Sequence, residues 1–192
     1  MIQRNRRANI ASPGCSYDLV LASRRETEWV GRTIGRLLQG GEVLALIGEL
    51  GAGKTALVRG IAAGLGIPGT VVSSPTFTLV HQHPARIPLI HVDLYRLHSR
   101  DEAESIGLSD CFREHMVTAI EWADRFPTLL PEDRLVMRLT HHTARSRAIK
   151  FEAFGYQSGS LLTRLNKVLR AARSRTRSIH GRTPGNRKVT RR

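Results

Sequence analysis

The most constraining feature of this chain is a glycine loop at residues 48–55, which fits the pattern G-x-x-x-x-G-K-[ST]. Residues 42–47 before it are a largely apolar stretch typical of a buried strand. Residues 56–66 after it carry apolar side chains at helical spacing and end in a glycine. Between a strand and a helix, the glycines let the backbone wrap a phosphate group, and the start of the helix adds partial positive charge. This context predicts a phosphate-binding loop and disfavours the alternative, a glycine turn that binds nothing.

The last two residues of the loop carry the side chains that such a site needs. Lys54 is predicted to reach the β- and γ-phosphates of a nucleotide, and the Thr55 hydroxyl is predicted to bind Mg²⁺. The motif therefore predicts a nucleotide and Mg²⁺ as ligands.

Two acidic side chains are candidates for the carboxylate that completes a magnesium site. Glu121 follows the apolar residues 117–120, and Asp93 interrupts the apolar stretch 89–94. A charge in an apolar strand needs a partner such as a cation, and in this architecture the carboxylate lies at the end of a neighbouring strand. The alternative for each is a strand-end residue that faces solvent or an arginine. The catalytic candidates are thus Lys54, Asp93 and Glu121.

Other polar or aromatic positions leave two interpretations open. His91 leaves the same strand face as Asp93, and it either joins the site or is a hydrogen-bonded core histidine. Trp122 either faces the nucleotide or fills the core, with the core as the default. Residues 74–78 resemble a switch segment that orders around a γ-phosphate, or they form a turn with local hydroxyl bonds. Ser23 is more securely a helix cap than a ligand.

Strands alternate with helices along the central part of the chain. Residues 23–26 have the form of a capping box and open a helix whose apolar stripe is Trp29, Val30, Ile34, Leu37 and Leu38. Strands are predicted over residues 17–21, 71–72, 89–95, 117–122, 134–139 and 148–154, and helices over part of 101–115 and over 158–173. This order predicts an α/β protein, a P-loop NTPase-like three-layer sandwich with a mostly parallel central sheet. Ligands of such a sheet bind at the carboxyl ends of its strands.

The formal net charge of +14 lies in the two ends of the chain. Residues 13–162 hold 16 basic and 16 acidic residues, whereas residues 1–12 hold three arginines and residues 163–192 hold 11 basic residues, both without an acid. The tail either contacts RNA phosphates in a salt-dependent way or is a solubilising extension. The predicted division is a basic N-terminal extension (1–15), an ATPase domain (16–173) and a basic, disordered tail (174–192).

The cysteines and the hydropathy indicate a compartment. Cys15 and Cys111 lie far apart and lack metal-ligand spacing, which indicates buried or free thiols in a reducing compartment. No apolar run approaches the ~20 residues of a membrane helix, and the N-terminus has no apolar leader segment. We expect a cytoplasmic protein with no membrane partner and no DNA ligand.

Several segments together resemble the signatures of the TsaE family, also called YjeE. They are residues 48–55, 74–80 (SPTFTLV), 91–97 (HVDLYRL) and 120–122 (IEW), within a resemblance that covers roughly residues 17–155. The resemblance implies a P-loop ATPase that works with the TsaD and TsaB subunits to form threonylcarbamoyladenosine next to the anticodon of tRNA. With the resemblance included, the cofactors expected are ATP and Mg²⁺. The arginine-rich extension after about residue 163 departs from the family pattern.

The resemblance also implies roles for individual residues. Thr55 and Glu121 would hold Mg²⁺, Asp93 would be needed for hydrolysis, and Ser23 would lie near the nucleotide. From the motif and the resemblance together, the residues expected to bind the nucleotide are Ser23, Gly48, Gly51, Ala52, Gly53, Lys54, Thr55, Ala56 and Trp122.

Two other functions are compatible with the sequence. A small-molecule kinase could use the same loop, but it needs a mobile lid, often with paired arginines. After residue 97, only Arg100 and Arg113 are candidates for that role. A nucleotide-gated RNA-binding module would instead use the basic tail as its main contact.

Overall fold

The computed structural model describes the backbone of residues 14–180 and the side chains of residues 14–174. Seven strands form a single sheet: β1 (Cys15–Leu21), β2 (Val43–Ile47), β3 (Val80–His83), β4 (Leu89–Asp93), β5 (Val117–Glu121), β6 (Arg134–His141) and β7 (Arg147–Phe154). Four helices accompany it: α1 (Arg24–Leu37), α2 (Lys54–Gly64), α3 (Arg100–Ser105) and α4 (Tyr156–His180). The alternation of strands and helices predicted from the sequence is therefore confirmed.

The strand order is β1-β7-β6-β2-β5-β4-β3. The four central strands are parallel, since β2 pairs in parallel with β5 and β6, and β4 pairs in parallel with β5. The outer pairs are antiparallel: β1 with β7, β6 with β7 and β3 with β4. The parallel centre brings the carboxyl ends of β2, β4 and β5 to one edge of the sheet.

Helices cover both faces of the sheet, which makes the predicted three layers. On one face, α1, α2 and α4 bury a core with the sheet, and its largest fully buried members include Ile34, Leu57, Ile61, Leu44, Leu46, Leu135 and Phe151. On the other face, α3 and short 3-10 turns cover a second core that includes Val92, Leu94, Leu108 and Ile120. Residues on successive positions of β2 and β5 alternate between the two cores, as the period of a strand requires.

The start of α1 follows the predicted capping box. The Ser23 hydroxyl accepts the backbone N–H of Glu26 at 3.2 Å, and the Glu26 carboxylate accepts the backbone N–H of Ala22 at 2.9 Å. Two N–H groups at the helix start are thereby satisfied, so the position of α1 beside the glycine loop is fixed from its first turn.

Glycines hold α1 against α2 at backbone distance. A Cβ atom at Gly31 would collide with the carbonyl oxygen of Leu57, and one at Gly60 would collide with the carbonyl oxygen of Glu28. No other residue fits at these positions, because the obstacle is main chain rather than a flexible side chain. Since α2 begins at Lys54, this contact also braces the helix that follows the glycine loop.

Two local predictions were wrong, and one strand was not predicted at all. Residues 71–72 are not a strand, because Gly69–Val71 forms a single 3-10 turn. The strand β3 was missed, because its sequence of Val-His-Gln-His contains no apolar run and it pairs only with β4 at the sheet edge. Helix α4 continues to His180, past residue 173, where the disordered tail was predicted to begin. The rest of that tail, residues 181–192, and the N-terminal residues 1–13 lie outside the described residues.

Both cysteines are free thiols, as predicted, with Cys15 exposed and Cys111 buried. Burial raises the pKa of the Cys111 thiol, with a further contribution from Asp110. Across residues 14–180, no helix combines the length and the apolar character that crossing a membrane requires.

Candidate functional site

A cavity of about 560 Å³ lies at the edge of the sheet where β2, β4 and β5 end. This volume is in the range of small-molecule and cofactor sites. It brings together residues from the glycine loop, from the ends of β4 and β5, from α1 and from the turn between β6 and β7. Its lining includes Arg24, Thr27, Gly51, Gly53, Lys54, Thr55, Ala56, Arg59, Ser74, Thr76, Asp93, Tyr95, Glu121, Trp122, Arg145 and Arg147.

The glycine loop has a backbone that few residues other than glycine adopt. Gly51 has a φ of 77° and Gly53 a φ of 105°, and a Cβ atom at Gly48 would collide with the carbonyl oxygen of Leu139. The N–H of Ala52 donates to the carbonyl of Glu49 at 3.1 Å and closes a tight turn. The loop therefore curls over the start of α2.

The first turn of α2 is open to a ligand. Gly53 is its N-cap and offers no side-chain oxygen to the first N–H groups of the helix. Those N–H groups and the helix dipole make an anion-binding site at this point. Thr55 and Ala56 from the same turn line the cavity.

Lys54 is buried under this loop, with its side chain turned toward the carbonyl oxygens. Its Nζ donates to Gly48 O at 2.6 Å and to Glu49 O at 3.0 Å. It also lies 3.7 Å from the centroid of the Trp122 ring. Burial lowers the pKa of the Lys54 ammonium, while the nearby carboxylates, Glu121 first among them, oppose that shift. Lys54 is thus a desolvated cation at the centre of the candidate site.

Glu121 connects the loop to the sheet. Its Oε2 accepts the Thr55 hydroxyl at 3.0 Å, and its Oε1 lies 2.9 Å from His91 Nε2. Both Glu121 and His91 are buried. His91 does not line the cavity, so it matches the hydrogen-bonded core histidine of the two interpretations, and its partner is the site residue Glu121. A buried carboxylate next to a hydroxyl is a donor set that suits Mg²⁺, because both ligands are oxygens.

Asp93 has a different set of partners, although β4 and β5 set it directly beside Glu121 in register. Its Oδ2 accepts the hydroxyls of Ser74 and Thr76, each at 2.6 Å, and its Oδ1 accepts the backbone N–H of Tyr95 at 2.9 Å. The carboxylate thereby ties residues 74–78 to the end of β4.

The segment at residues 74–78 is held in an unusual backbone conformation at its end. Leu79 has a φ of 64°, in the left-handed region that non-glycine residues rarely adopt, and its N–H donates to Pro75 O at 2.6 Å. Such outliers persist only where surrounding contacts enforce them, and they cluster at switch regions. Phe77 in the middle of this segment is 87% exposed.

Trp122 both lines the cavity and packs on the core. It follows β5 with a φ of 59°, its ring lies 4.8 Å from the Tyr95 ring, and it borders the second core cluster. Trp122 therefore both faces the cavity and packs against the core, so each of its two interpretations from the sequence describes one side of the ring.

Ser23 does not line the cavity; its hydroxyl caps α1, as the residue pattern itself predicts. Its neighbours Arg24 and Thr27 do line it, and they were missed by the sequence analysis.

Basic residues around the cavity were also missed. Arg145 and Arg147 come from the turn between β6 and β7, and Arg147 Nη2 lies 3.4 Å from Gly51 O. Because β6 runs parallel to β2, a basic turn after β6 lies at the same edge as the glycine loop. The two arginines are visible in the sequence, but placing them at the site requires knowing that β6 pairs with β2.

The parallel central strands, the glycine loop between β2 and α2, and the paired carboxylates define a P-loop NTPase-like protein. A family profile described as "Threonylcarbamoyl adenosine biosynthesis protein TsaE" matches residues 21–149. The chain therefore belongs to the TsaE family.

Individual relatives agree with this assignment. A Bacillus subtilis protein is 36% identical over 143 residues, which cover 74% of this chain and 89% of the relative. A Treponema pallidum protein is 42% identical over 120 residues, which cover 62% of this chain and 88% of the relative. Both are named tRNA threonylcarbamoyladenosine biosynthesis protein TsaE. The crystal structure of Bacillus subtilis YdiB superposes with a TM-score of 0.68 and 29% identity, covering 80% of this chain and 95% of that one.

Proposed function

We propose that the protein binds and hydrolyses ATP with Mg²⁺. We further propose that it acts with TsaD and TsaB in the threonylcarbamoylation of the adenosine next to the anticodon of tRNA. The observation that carries the proposal is the contact between Thr55 Oγ1 and Glu121 Oε2 at 3.0 Å, directly beside the open first turn of α2. The family membership supplies the tRNA modification, and the site supplies the reason to expect ATP.

The glycine loop would bind the phosphate groups through its backbone. The N–H groups of Gly51 and of residues 53–56 would donate to phosphate oxygens, and Lys54 would supply the positive charge that balances the phosphates. The Ala52 N–H keeps its bond to Glu49 O. Lys54 lies under the loop, where its Nζ donates to two loop carbonyl oxygens. Phosphate oxygens would take the place of those carbonyl oxygens as acceptors when the nucleotide binds.

Thr55 and Glu121 would hold Mg²⁺, since their oxygens are adjacent and Glu121 is a buried carboxylate that needs a cation. When bound, Mg²⁺ would neutralise charge on the phosphate oxygens. His91 orients the Glu121 carboxylate from the opposite side, so that Oε2 stays directed toward Thr55.

Asp93 would serve hydrolysis rather than the metal. Within the described residues, the hydrogen bonds of its side chain go to Ser74, Thr76 and the backbone of Tyr95. A carboxylate held in this way is not free to orient a water molecule, so residues 74–78 must first rearrange. Partner subunits that bind the exposed segment would promote that rearrangement, and turnover by the isolated protein should therefore be slow.

Phosphate release from ATP, measured with and without TsaD and TsaB, tests this proposal. We expect slow release by the isolated chain, a clear increase with the partner subunits, and dependence on magnesium. Fast release that the partners leave unchanged would contradict the proposed coupling. Absence of ATP binding in calorimetry would contradict the nucleotide site itself.

A further inference from the structure

Trp29 is more exposed than its place in the apolar stripe of α1 predicts. It was assigned to the apolar stripe of α1, but its side chain is 44% exposed, whereas Val30 and Ile34 are fully buried and carry the packing of the helix. Tryptophan is highly buried on average in folded proteins. A half-exposed indole in the middle of a rigid helix is therefore available to a ligand.

Three arginines share the outward side of α1 with Trp29. Arg25, Arg32 and Arg36 are all exposed, and with Trp29 they follow the spacing i, i+4, i+7 and i+11, which places them on one face of a helix. Within residues 14–174, none of the three guanidinium groups makes an ion pair or a side-chain hydrogen bond. Arg24, in contrast, pairs with Glu28 at 3.0 Å. The outward face of α1 thus presents unneutralised positive charge around an aromatic ring.

A groove continues this face toward the end of α4. It has a volume of about 1030 Å³, and Tyr17 and Trp29 line it together with Arg170 and Arg173 of α4. Arg173 Nη2 donates to the carbonyl of Val20 at 3.1 Å and fixes α4 beside the edge strand β1. We call the outward face of α1 and this groove the α1–α4 face.

Two acidic residues also line the groove, and they do not cancel its charge. The Glu26 carboxylate is used at the helix start, where it accepts the N–H of Ala22. Asp18 is exposed on β1. Against these two acids the α1–α4 face carries five arginines. Only Arg25, Arg32 and Arg36 belong to residues 13–162, so the zero net charge of that range is compatible with a local basic patch on its surface.

We propose that the α1–α4 face binds a single-stranded segment of RNA, with phosphates on the arginines and a base stacked on Trp29. Guanidinium groups match phosphate oxygens in a planar, bidentate geometry, and aromatic rings between basic residues are the usual platform for unpaired bases. An acidic peptide would use the charges but not the indole. The inference does not rest on ATP hydrolysis, because none of these residues lines the nucleotide cavity.

The test measures binding of a fluorescently labelled uridine dodecamer to the full chain at low and high potassium chloride. One variant is the triple substitution Arg25→Gln, Arg32→Gln and Arg36→Gln, and another is Trp29→Leu. The matched control removes three exposed arginines elsewhere: Arg86→Gln, Arg100→Gln and Arg113→Gln.

We expect the α1 triple variant to bind more weakly than the control variant. The slope of log affinity against log salt should fall by about 2, because each lost phosphate contact on a single strand contributes about 0.7. Trp29→Leu should weaken binding roughly tenfold and leave the salt slope unchanged, since stacking is not a charge contact. The affinity for duplex RNA of the same length should be unchanged by Trp29→Leu, because its bases are already stacked in the duplex. Comparing the uridine and deoxyuridine dodecamers measures the contribution of the 2′-hydroxyl groups to affinity.

Equal affinities and slopes for the α1 triple and the control triple would overturn the proposal. So would displacement of RNA by polyglutamate at equal charge concentration combined with no effect of Trp29→Leu, because that pattern describes an acidic protein partner. Each variant is also tested for ATP binding, which should match the wild type. If the wild-type protein does not bind ATP, the proposed function is contradicted, whereas the result for RNA binding is unaffected.

Discussion

Glu121 and Asp93 end neighbouring parallel strands in register, yet they belong to two different regions of the site. Glu121 contacts the glycine loop through Thr55 and the sheet interior through His91. Asp93 contacts the hydroxyls of Ser74 and Thr76. The two carboxylates occupy equivalent positions at the ends of neighbouring strands, but their hydrogen-bond partners differ. Contact with Thr55 is the reason to propose Glu121 rather than Asp93 as the metal partner, while the Asp93 side chain binds the segment at residues 74–78.

The largest effect is expected at the lysine of the glycine loop. Lys54→Ala should weaken ATP binding by on the order of 100-fold or more and remove turnover, because Lys54 is the one buried lysine or arginine among residues 14–174. Calorimetry with ATP measures the affinity, and Lys167→Ala, an exposed lysine on α4, is the matched control. Wild-type affinity in Lys54→Ala would remove the glycine loop from the nucleotide site.

Asp93→Asn should separate the two regions. We expect turnover to fall by roughly 100-fold while ATP affinity stays close to wild type, because an amide cannot take up a proton from the attacking water as a carboxylate can. The amide also holds the Ser74 and Thr76 hydroxyls more weakly than the charged carboxylate does. The unfolding free energy should fall by about 1–3 kcal/mol, and cleavage by proteases within residues 74–78 should increase. Asp110→Asn, an exposed aspartate, is the control. A parallel loss of ATP affinity would place Asp93 in the metal region instead.

Smaller effects are expected from the hydroxyl partners of Asp93. Ser74→Ala and Thr76→Val should each lower the unfolding free energy by about 1 kcal/mol, because each removes one hydrogen bond to a carboxylate. Thr78→Val, in the same segment but exposed and without a side-chain hydrogen bond in the described residues, should change little. Chemical denaturation of each single and double variant gives the coupling energies. Additivity between Ser74→Ala and Asp93→Asn would show that their contact does not stabilise the segment.

The central sheet and the loop were predictable from the sequence, because their signals are local. The apolar runs of β2 and β5, the glycine spacing and the capping box at Ser23 each need only a few neighbouring residues. The strand β3 and the turn at Gly69–Val71 lack such local signals. The conformation of β3 depends on its pairing with β4, and that of the turn depends on its contact with α2.

The partners of the site residues required the folded chain. Residue patterns alone left open whether Asp93 or Glu121 is the partner of Thr55, since both end apolar strands, and only the family resemblance favoured Glu121. The spacing of Trp29, Val30 and Ile34 is helical, but spacing does not show which of these side chains is buried. That depends on which elements pack on the helix, and Trp29, at the edge of the apolar stripe, stays half-exposed. Arg147 reaches the loop only because β6 and β7 form a hairpin beside β2.

A magnesium titration of ATP turnover in the wild type, Glu121→Gln and Asp93→Asn tests the division between the two carboxylates most directly. Gln keeps the shape of Glu121 and can still accept the Thr55 hydroxyl, but it loses the charge that would hold the metal. We predict that Glu121→Gln raises the magnesium midpoint by about 10-fold or more, whereas Asp93→Asn lowers the plateau and leaves the midpoint at the wild-type value. A shifted midpoint in Asp93→Asn together with an unchanged midpoint in Glu121→Gln would contradict the account.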